Sequence, residues 1–498
     1  MNWINVLPLA ALMTSFIVAM VIFILPEQQH KTRSALNLAA AILKLALIAL
    51  LIYFVLQQHT PEISLEVLPG LSMVLRADAL AMLFAGLSSV LWLFTTIYAI
   101  GYLENSPNRS RFFGFFSLCV ASTMGISLAG NLFTFLIFYE LLTLSTYPLV
   151  VHRGTTAALA AGRTYLIYTL SGGVVLLTGI VGLYALGGDI PFGETEITAA
   201  LIGSWPGWMT LIFALLIIGL GVKAALFPFH GWLPVAMVAP APVSALLHAV
   251  AVVKAGAFGI IRVVYDIYGI ELAWQQGLLW PLTLLAAFTI IYGSLRALQQ
   301  SDLKKRLAYS TVSQVAYIIL GISLFGPLGS IGGLVHLLHQ GLMKVTLFFC
   351  AGNYAETLGI HKIHQLDGVG QRMPMTSAAF TIGALGMIGI PPVAGFVSKW
   401  YLGTGALDAG LDWVVYVLVG SSLLNAAYFL PVLKRIWFNP QQGNWPDEII
   451  VGWRDTTPWL LIPTLVTAGL SLAAGLFAGS SISPLSWAEL ITLREYLP

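Results

Sequence analysis

The chain has 498 residues, of which 58% are hydrophobic and only 9% charged, with 23 basic against 21 acidic side chains. A soluble domain carries roughly 25% charged residues, and a mean hydropathy of +0.88 makes lipid the main solvent. That balance excludes a soluble enzyme and a basic face for nucleic acid, and no Gly-rich phosphate or dinucleotide loop is present.

In chain order, fourteen apolar runs reach the ~20 residues that a helix needs to cross the hydrocarbon. They lie near 3–25, 37–56, 80–102, 112–129, 132–151, 165–186, 208–228, 242–264, 278–295, 307–325, 331–352, 375–401, 413–433 and 458–478. The expected fold is therefore an all-α polytopic membrane protein. The first run lacks a basic start and is too long for a signal-peptide core, so it is read as a span. Span 2 carries Lys44, near enough to the helix start to snorkel to the headgroups. Cys119 and Cys350 sit far apart in apolar runs, which excludes a cysteine-ligated cluster and a disulfide framework. Span 5 holds Glu140 (FLIFYELLTLSTYP), the one acidic residue read as intramembrane. Span 7 reads GLGVKAALFPFHGWLP, with Lys223 before Pro228 and Pro234. Span 8 holds His248 and Lys254, and span 11 holds His336, His339 and Lys344. Span 12 reads GALGMIGIPPVAGFVSKWYL, with Pro391, Pro392 and Gly395 before Lys399.

Each ionisable group at mid-bilayer costs at least ~2.5–3.5 kcal/mol, so this series needs a reason. One glutamate stands against five lysines, and pairing within the chain cannot neutralise them all. Some of the lysines must be neutral or meet water. A lysine that can shed its proton is what a proton relay requires. The bland alternatives are structural ion pairs, cross-helix hydrogen bonds for the histidines, and plain kinks for the prolines. Proline also frees a carbonyl that lipid cannot satisfy, so each break implies neighbouring protein or a hydrated cavity. Two Pro-interrupted spans in the two halves, each with a lysine nearby, point to inverted repeats and a transport path.

Orientation follows from the basic residues. Loops after odd-numbered spans hold fifteen: Lys31, Arg33, Arg109, Arg111, Arg153, Arg163, Arg296, Lys304, Lys305, Arg306, Lys362, Arg372, Lys434, Arg435 and Arg454. Even-numbered loops and the C-terminus hold three, Arg76, Arg262 and Arg494. The asymmetry places the odd loops in the cytoplasm and both termini outside, in the periplasm of a bacterial inner membrane.

The stretches GVKAALFPFHGWLPVAMVAPAPVSALLHAVAVVKAG, LKKRLAYSTVSQVAYIILG, LVHLLHQGLMKVTLFFCAGN and GIPPVAGFVSKWYL resemble the antiporter-like proton-translocating family. Its members are large membrane subunits of respiratory complex I, of group 4 membrane-bound hydrogenases and of multisubunit Mrp-type antiporters. The resemblance covers roughly residues 70–480. Size, span number and the GFVSK signature are most similar to the D-type subunit of Mrp antiporters, whereas His248 in PVSALLHAVAVVKAG is more like the larger A- or L-type paralogues.

The resemblance implies N-terminal helices over 1–110, a first five-helix repeat over 111–265, an inverted repeat over 276–435, and a last helix and tail over 456–498. It implies a proton pathway in which Glu140 pairs with Lys223. Lys254 connects the two half-channels, Lys399 exits to the other side, and His248, His336, His339 and Lys344 serve between them. Helix breaks are expected at Pro228, Pro391 and Pro392. No cofactor, metal site or catalytic centre is expected in the chain itself. The expected function is the proton-translocating subunit of a multisubunit Na⁺/H⁺ antiporter, with other membrane subunits as partners. The alternative is a proton-pumping subunit of a complex I-like NADH–quinone oxidoreductase or a membrane-bound hydrogenase. A scaffold with vestigial charges would have eroded the lysine series, which is intact here.

Overall fold

The computed structural model describes residues 3–103, 106–441, 443–449 and 455–496. Arg454 of the basic series and the C-terminal Pro498 lie outside the described residues. Thirteen of the fourteen apolar runs each coincide with one helix, and the run at 375–401 with two. The first are α1 (Leu7–Ile24) and α2 (His30–Leu56), followed by an antiparallel hairpin of β1 (Glu62–Leu68) and β2 (Leu71–Arg76). Then come α3 (Ala79–Tyr102), α4 (Arg109–Ser127), α5 (Leu132–Val150), α6 (Thr156–Gly187) and α7 (Pro206–Lys223). The second half holds α8 (Ala241–Tyr268), α9 (Leu279–Leu298), α10 (Leu303–Ser323) and α11 (Pro327–Leu358). Span 12 is divided into α12 (Pro374–Ile388) and α13 (Ala394–Asp408), before α14 (Asp412–Phe438), α15 (Pro458–Leu476) and the short α16 (Pro484–Ile491).

Eleven of the described helices are long and apolar enough to cross a membrane. The other three runs fall below that measure for local reasons. α4 and α10 carry Arg109, Arg111, Lys304, Lys305 and Arg306 in their first turns, and each half of span 12 has only 15 residues. The hairpin is an element that the apolar runs do not announce. Pro69 and Gly70 make its turn, with Gly70 at φ +76°, where a side chain would be strained. Its second strand is tied to α5 through Val74 N–H, which donates to Thr134 Oγ1 at 2.8 Å.

Burial sorts the helices into a centre and a lipid-facing shell. The most apolar stretch of α8 is entirely buried and that of α11 is 94% buried, against 33% in α2, α6 and α14. α8 can sit at the centre because its residues are small. The backbone at Gly256 lies against Ala224 N and Leu220 O of the α7 end, where a Cβ would not fit. α8 is also irregular, with π-turns over Leu246–Val250 and Val263–Tyr268. Such turns recur at functional sites, and the first one carries His248.

Two readings of charge are corrected here. Lys44 does not snorkel. It is fully buried, its ammonium donates to Ser15 Oγ of α1, and it lies 4.5 Å from the centroid of the Trp92 ring of α3. Lys44 stands 14 residues into α2, roughly 21 Å from the helix start, beyond the reach of a four-carbon stem. Arg262, expected in a loop, lies within α8. Its guanidinium bridges Asp78, the N-cap of α3, at 2.9 Å and Asp266 at 2.7 Å. Asp78 and Asp266 are buried with it, so Glu140 is not the only acid inside the helix bundle.

Candidate functional site

The first cluster forms where α5, α6 and α7 meet. Lys223 is the last residue of α7 and is fully buried. Its ammonium donates to the Tyr139 carbonyl of α5 and lies 3.3 Å from the centroid of the Tyr139 ring. Glu140 is the next residue along α5. Both of its carboxylate oxygens are buried and have no hydrogen-bond partner. The ion pairs of the described residues do not include Glu140 with Lys223. The lysine thus rests on the carbonyl beside the acid, close enough to feel its charge. Tyr139 is a site residue that the motifs do not single out, although its place next to Glu140 is a signal.

Gly173 of α6 makes room for the acid, because a Cβ there would collide with Glu140 Oε1. Gly173→Ala should therefore displace the carboxylate while the helix itself gains in propensity. Ion exchange in vesicles should fall on the order of tenfold to a hundredfold, as a misplaced reacting group does, at unchanged insertion. An undiminished rate would mean that the position of this carboxylate does not matter.

The second cluster runs through α8, α10, α11 and the divided span. Lys254 donates to the Leu337 carbonyl of α11 at 2.7 Å. Lys344 donates to the Leu307 carbonyl of α10 at 3.1 Å and also to Ser310 Oγ. His248 stacks on Phe348 with centroids 4.5 Å apart, and neither of its ring nitrogens has a hydrogen-bond partner. His336 Nδ1 lies 2.8 Å from Ser398 Oγ of α13, and its ring adjoins the Gln314 backbone of α10. His339 is buried one turn away, beside the Ala394 backbone. These groups are electrostatic neighbours in series. His248 is close to Lys344, Lys344 to Lys254, and His336 to Lys254, His339 and Lys399.

Lys399 ends the series at the break in span 12. α12 stops at Ile388, Gly389 turns the chain at φ +94°, and Pro391 and Pro392 lead into α13. The carbonyls freed there are met from within the protein. Lys399 Nζ donates to Met387 O at 3.0 Å, Ile388 O at 2.8 Å and Ser422 Oγ at 3.0 Å. Asn425 Nδ2 adds a second donor to Met387 O at 2.9 Å. Trp400, the next residue along the chain, turns outward at 60% exposure, and the ring over the ammonium is Tyr317, 5.2 Å away. Beside Lys399 a groove of about 560 Å³ opens between α13 and α14. The break after α7 has the same composition in reverse order, with Lys223 before Pro228.

Lipid-facing helices around a buried file of bases, with two helices broken beside lysines, define an antiporter-like membrane protein. Residues 129–425 match the family described as "NADH:quinone oxidoreductase/Mrp antiporter, TM". Residues 69–113 match "NADH-Ubiquinone oxidoreductase (complex I), chain 5 N-terminus". The chain belongs to this family of proton-translocating membrane subunits, as its motifs indicate. It is 36% identical over 400 residues to the N-type subunit of an NADH-quinone oxidoreductase from Desulforudis audaxviator (strain MP104C), covering 78% of each chain. It is 29% identical over 406 residues to the D-type subunit of a Na⁺/H⁺ antiporter from Bacillus subtilis (strain 168), covering 81% of this chain and 80% of the other. A chain of the Mrp complex from Dietzia sp. DQ12-45-1b superposes with a TM-score of 0.85 at 25% identity, over 99% of this chain and 98% of that one.

Proposed function

We propose that this protein carries protons across a bacterial inner membrane as one subunit of a multisubunit cation/H⁺ antiporter, with Na⁺ as the exchanged ion. The observation that carries the reading is the file of buried lysines and histidines on the α5–α7 and α8–α13 elements, almost without carboxylates. A proton taken up beside Glu140 sits on Lys223. It passes by water by way of His248 to Lys254 and on through Lys344, His336 and His339 to Lys399. Movement of Glu140 relative to Lys223 sets whether the first ammonium is favoured. Residues 111–265 and 276–435 act as the two inverted half-channels, and fourteen crossings leave both termini in the periplasm.

A second reading is supported by the likeness to the N-type subunit of a quinone oxidoreductase, in which quinone reduction by partner subunits drives the same relay. One measurement separates the two. Everted vesicles carrying the native complex should dissipate a preset ΔpH when Na⁺ is added, without any electron donor. Proton uptake that appears only with a reduced donor and quinone, and ignores Na⁺, would favour the redox reading.

A further inference from the structure

A cavity lies on the basic side of the protein. It encloses about 430 Å³ and is lined by Tyr102, Ser106, His152, Arg153, Pro240 and Glu356 among others. These residues stand at the ends of α3, α5 and α11 and at the start of α8, all on the face where the odd-numbered loops carry the basic residues.

Polar groups lead from its lining into the protein. Arg153 Nη2 donates to the Tyr102 hydroxyl at 3.4 Å, and that hydroxyl is within hydrogen-bonding reach of Glu356. Next to Pro240, the Ala239 carbonyl accepts from Lys304 Nζ at 2.6 Å. The charges around Lys304 are those of Arg153, Asp302 and Glu356. Lys304 is also an electrostatic neighbour of His248, whose two ring nitrogens have no hydrogen-bond partner. His152 adds no charge, since burial and then Arg111 and Arg153 bring its imidazole down to about 4. Glu356 is the carboxylate among the residues that line this cavity, and the Lys304 ammonium lies in its field.

We propose that this cavity is the port by which protons pass between the cytoplasm and the relay, with Glu356 as the receiving group and Lys304 as the link to His248. The inference rests on the proton-relay reading above. The Glu356 carboxylate takes a proton from water and becomes a carboxylic acid. It returns to carboxylate by giving that proton to the neutral amine of Lys304, and the resulting ammonium gives one to His248.

The test uses everted vesicles with the whole complex, which expose the basic face to the medium. Exchange by E356Q should fall at least about tenfold, the order of effect of losing a general acid–base group. Formate, a small acid that fits the cavity, should restore part of that rate. A wild-type rate in E356Q, or a loss that formate does not relieve, overturns the port. In S106C, exchange is compared before and after a bulky membrane-impermeant maleimide. Labelling should block exchange in the same folded protein, and an unchanged rate after full labelling overturns the port as well. Lys223→Ala serves as the reference for the relay itself. Activity in that variant would sink the relay reading, whereas its inactivity beside an active E356Q removes only the port.

Discussion

Alanine at Glu140 or at Lys223 should abolish ΔpH-driven exchange while the protein stays inserted and assembled. At Glu140 the expectation is free of a folding artefact, because neither carboxylate oxygen makes a hydrogen bond that alanine would remove. Taking away an unpartnered acid from a buried place leaves nothing unsatisfied. At Lys223 the loss is one donor to the Tyr139 carbonyl, and the ring contact goes with it. The rate should fall by about 10²-fold or more in each case, the range of a lost proton-transfer group. Arginine at 223 should fail as well, since a guanidinium does not deprotonate in proteins. Exchange at wild-type rates in both alanine variants, at matched expression, would remove this cluster from the path.

The second large effect is expected at Lys399, and here two roles must be separated. Lys399→Ala would strip the donor from Ile388 O and Ser422 and leave Met387 O to Asn425 Nδ2 alone, so it should both stop turnover and loosen the break. Each buried acceptor left without a partner costs about 1–3 kcal/mol. Lys399→Gln keeps a donor amide near those carbonyls but cannot carry a proton. It should assemble normally and transport nothing. Lys399→Glu, able to titrate but bearing only one donor hydrogen when protonated, should recover a fraction of the rate. Lys44→Met is the control, a fully buried lysine without a broken helix, and should exchange near the wild-type rate. Equal activity of the Lys399→Gln and Lys44→Met variants, measured in the same vesicles, would show that the break does not mark the path.

Much of the fold is readable in the chain because membrane insertion writes itself in composition. Every apolar run but the divided one at 375–401 becomes a single helix, and the breaks at Pro228 and at Pro391–Pro392 follow from chemistry that holds in any fold. The hairpin is readable too. LEVLPGLSMV places a Pro-Gly turn between β-forming residues, but a chain scanned for twenty-residue spans hides a seven-residue strand. Directions of side chains are harder. Whether Lys44 points to lipid or to Ser15 depends on which face of α2 meets α1 and α3, and no local pattern in a uniformly apolar helix encodes that. The same holds for Lys223, whose partner is set by how the end of α7 lands on α5. Arg262 stands two residues before the end of its apolar run at 264 and is counted with the loop that follows, whereas α8 continues to Tyr268 and keeps it inside the helix.

The lysines of the two clusters share a kind of partner, unlike Lys44, which rests on the Ser15 hydroxyl. Lys223, Lys254, Lys344 and Lys399 each rest on main-chain carbonyls, and so does Lys304 at the cavity. A carboxylate partner would deepen the hold on the ammonium and turn each site into a trap. A carbonyl cannot take the proton, and it accepts a hydrogen bond from a neutral amine as well as from a charged one. The seat therefore stays occupied whether the proton is present or gone, and no side chain has to swing away when it leaves. Along such a row none of these lysines is locked in an ion pair among the described residues, so a small shift at one end can set the direction of travel.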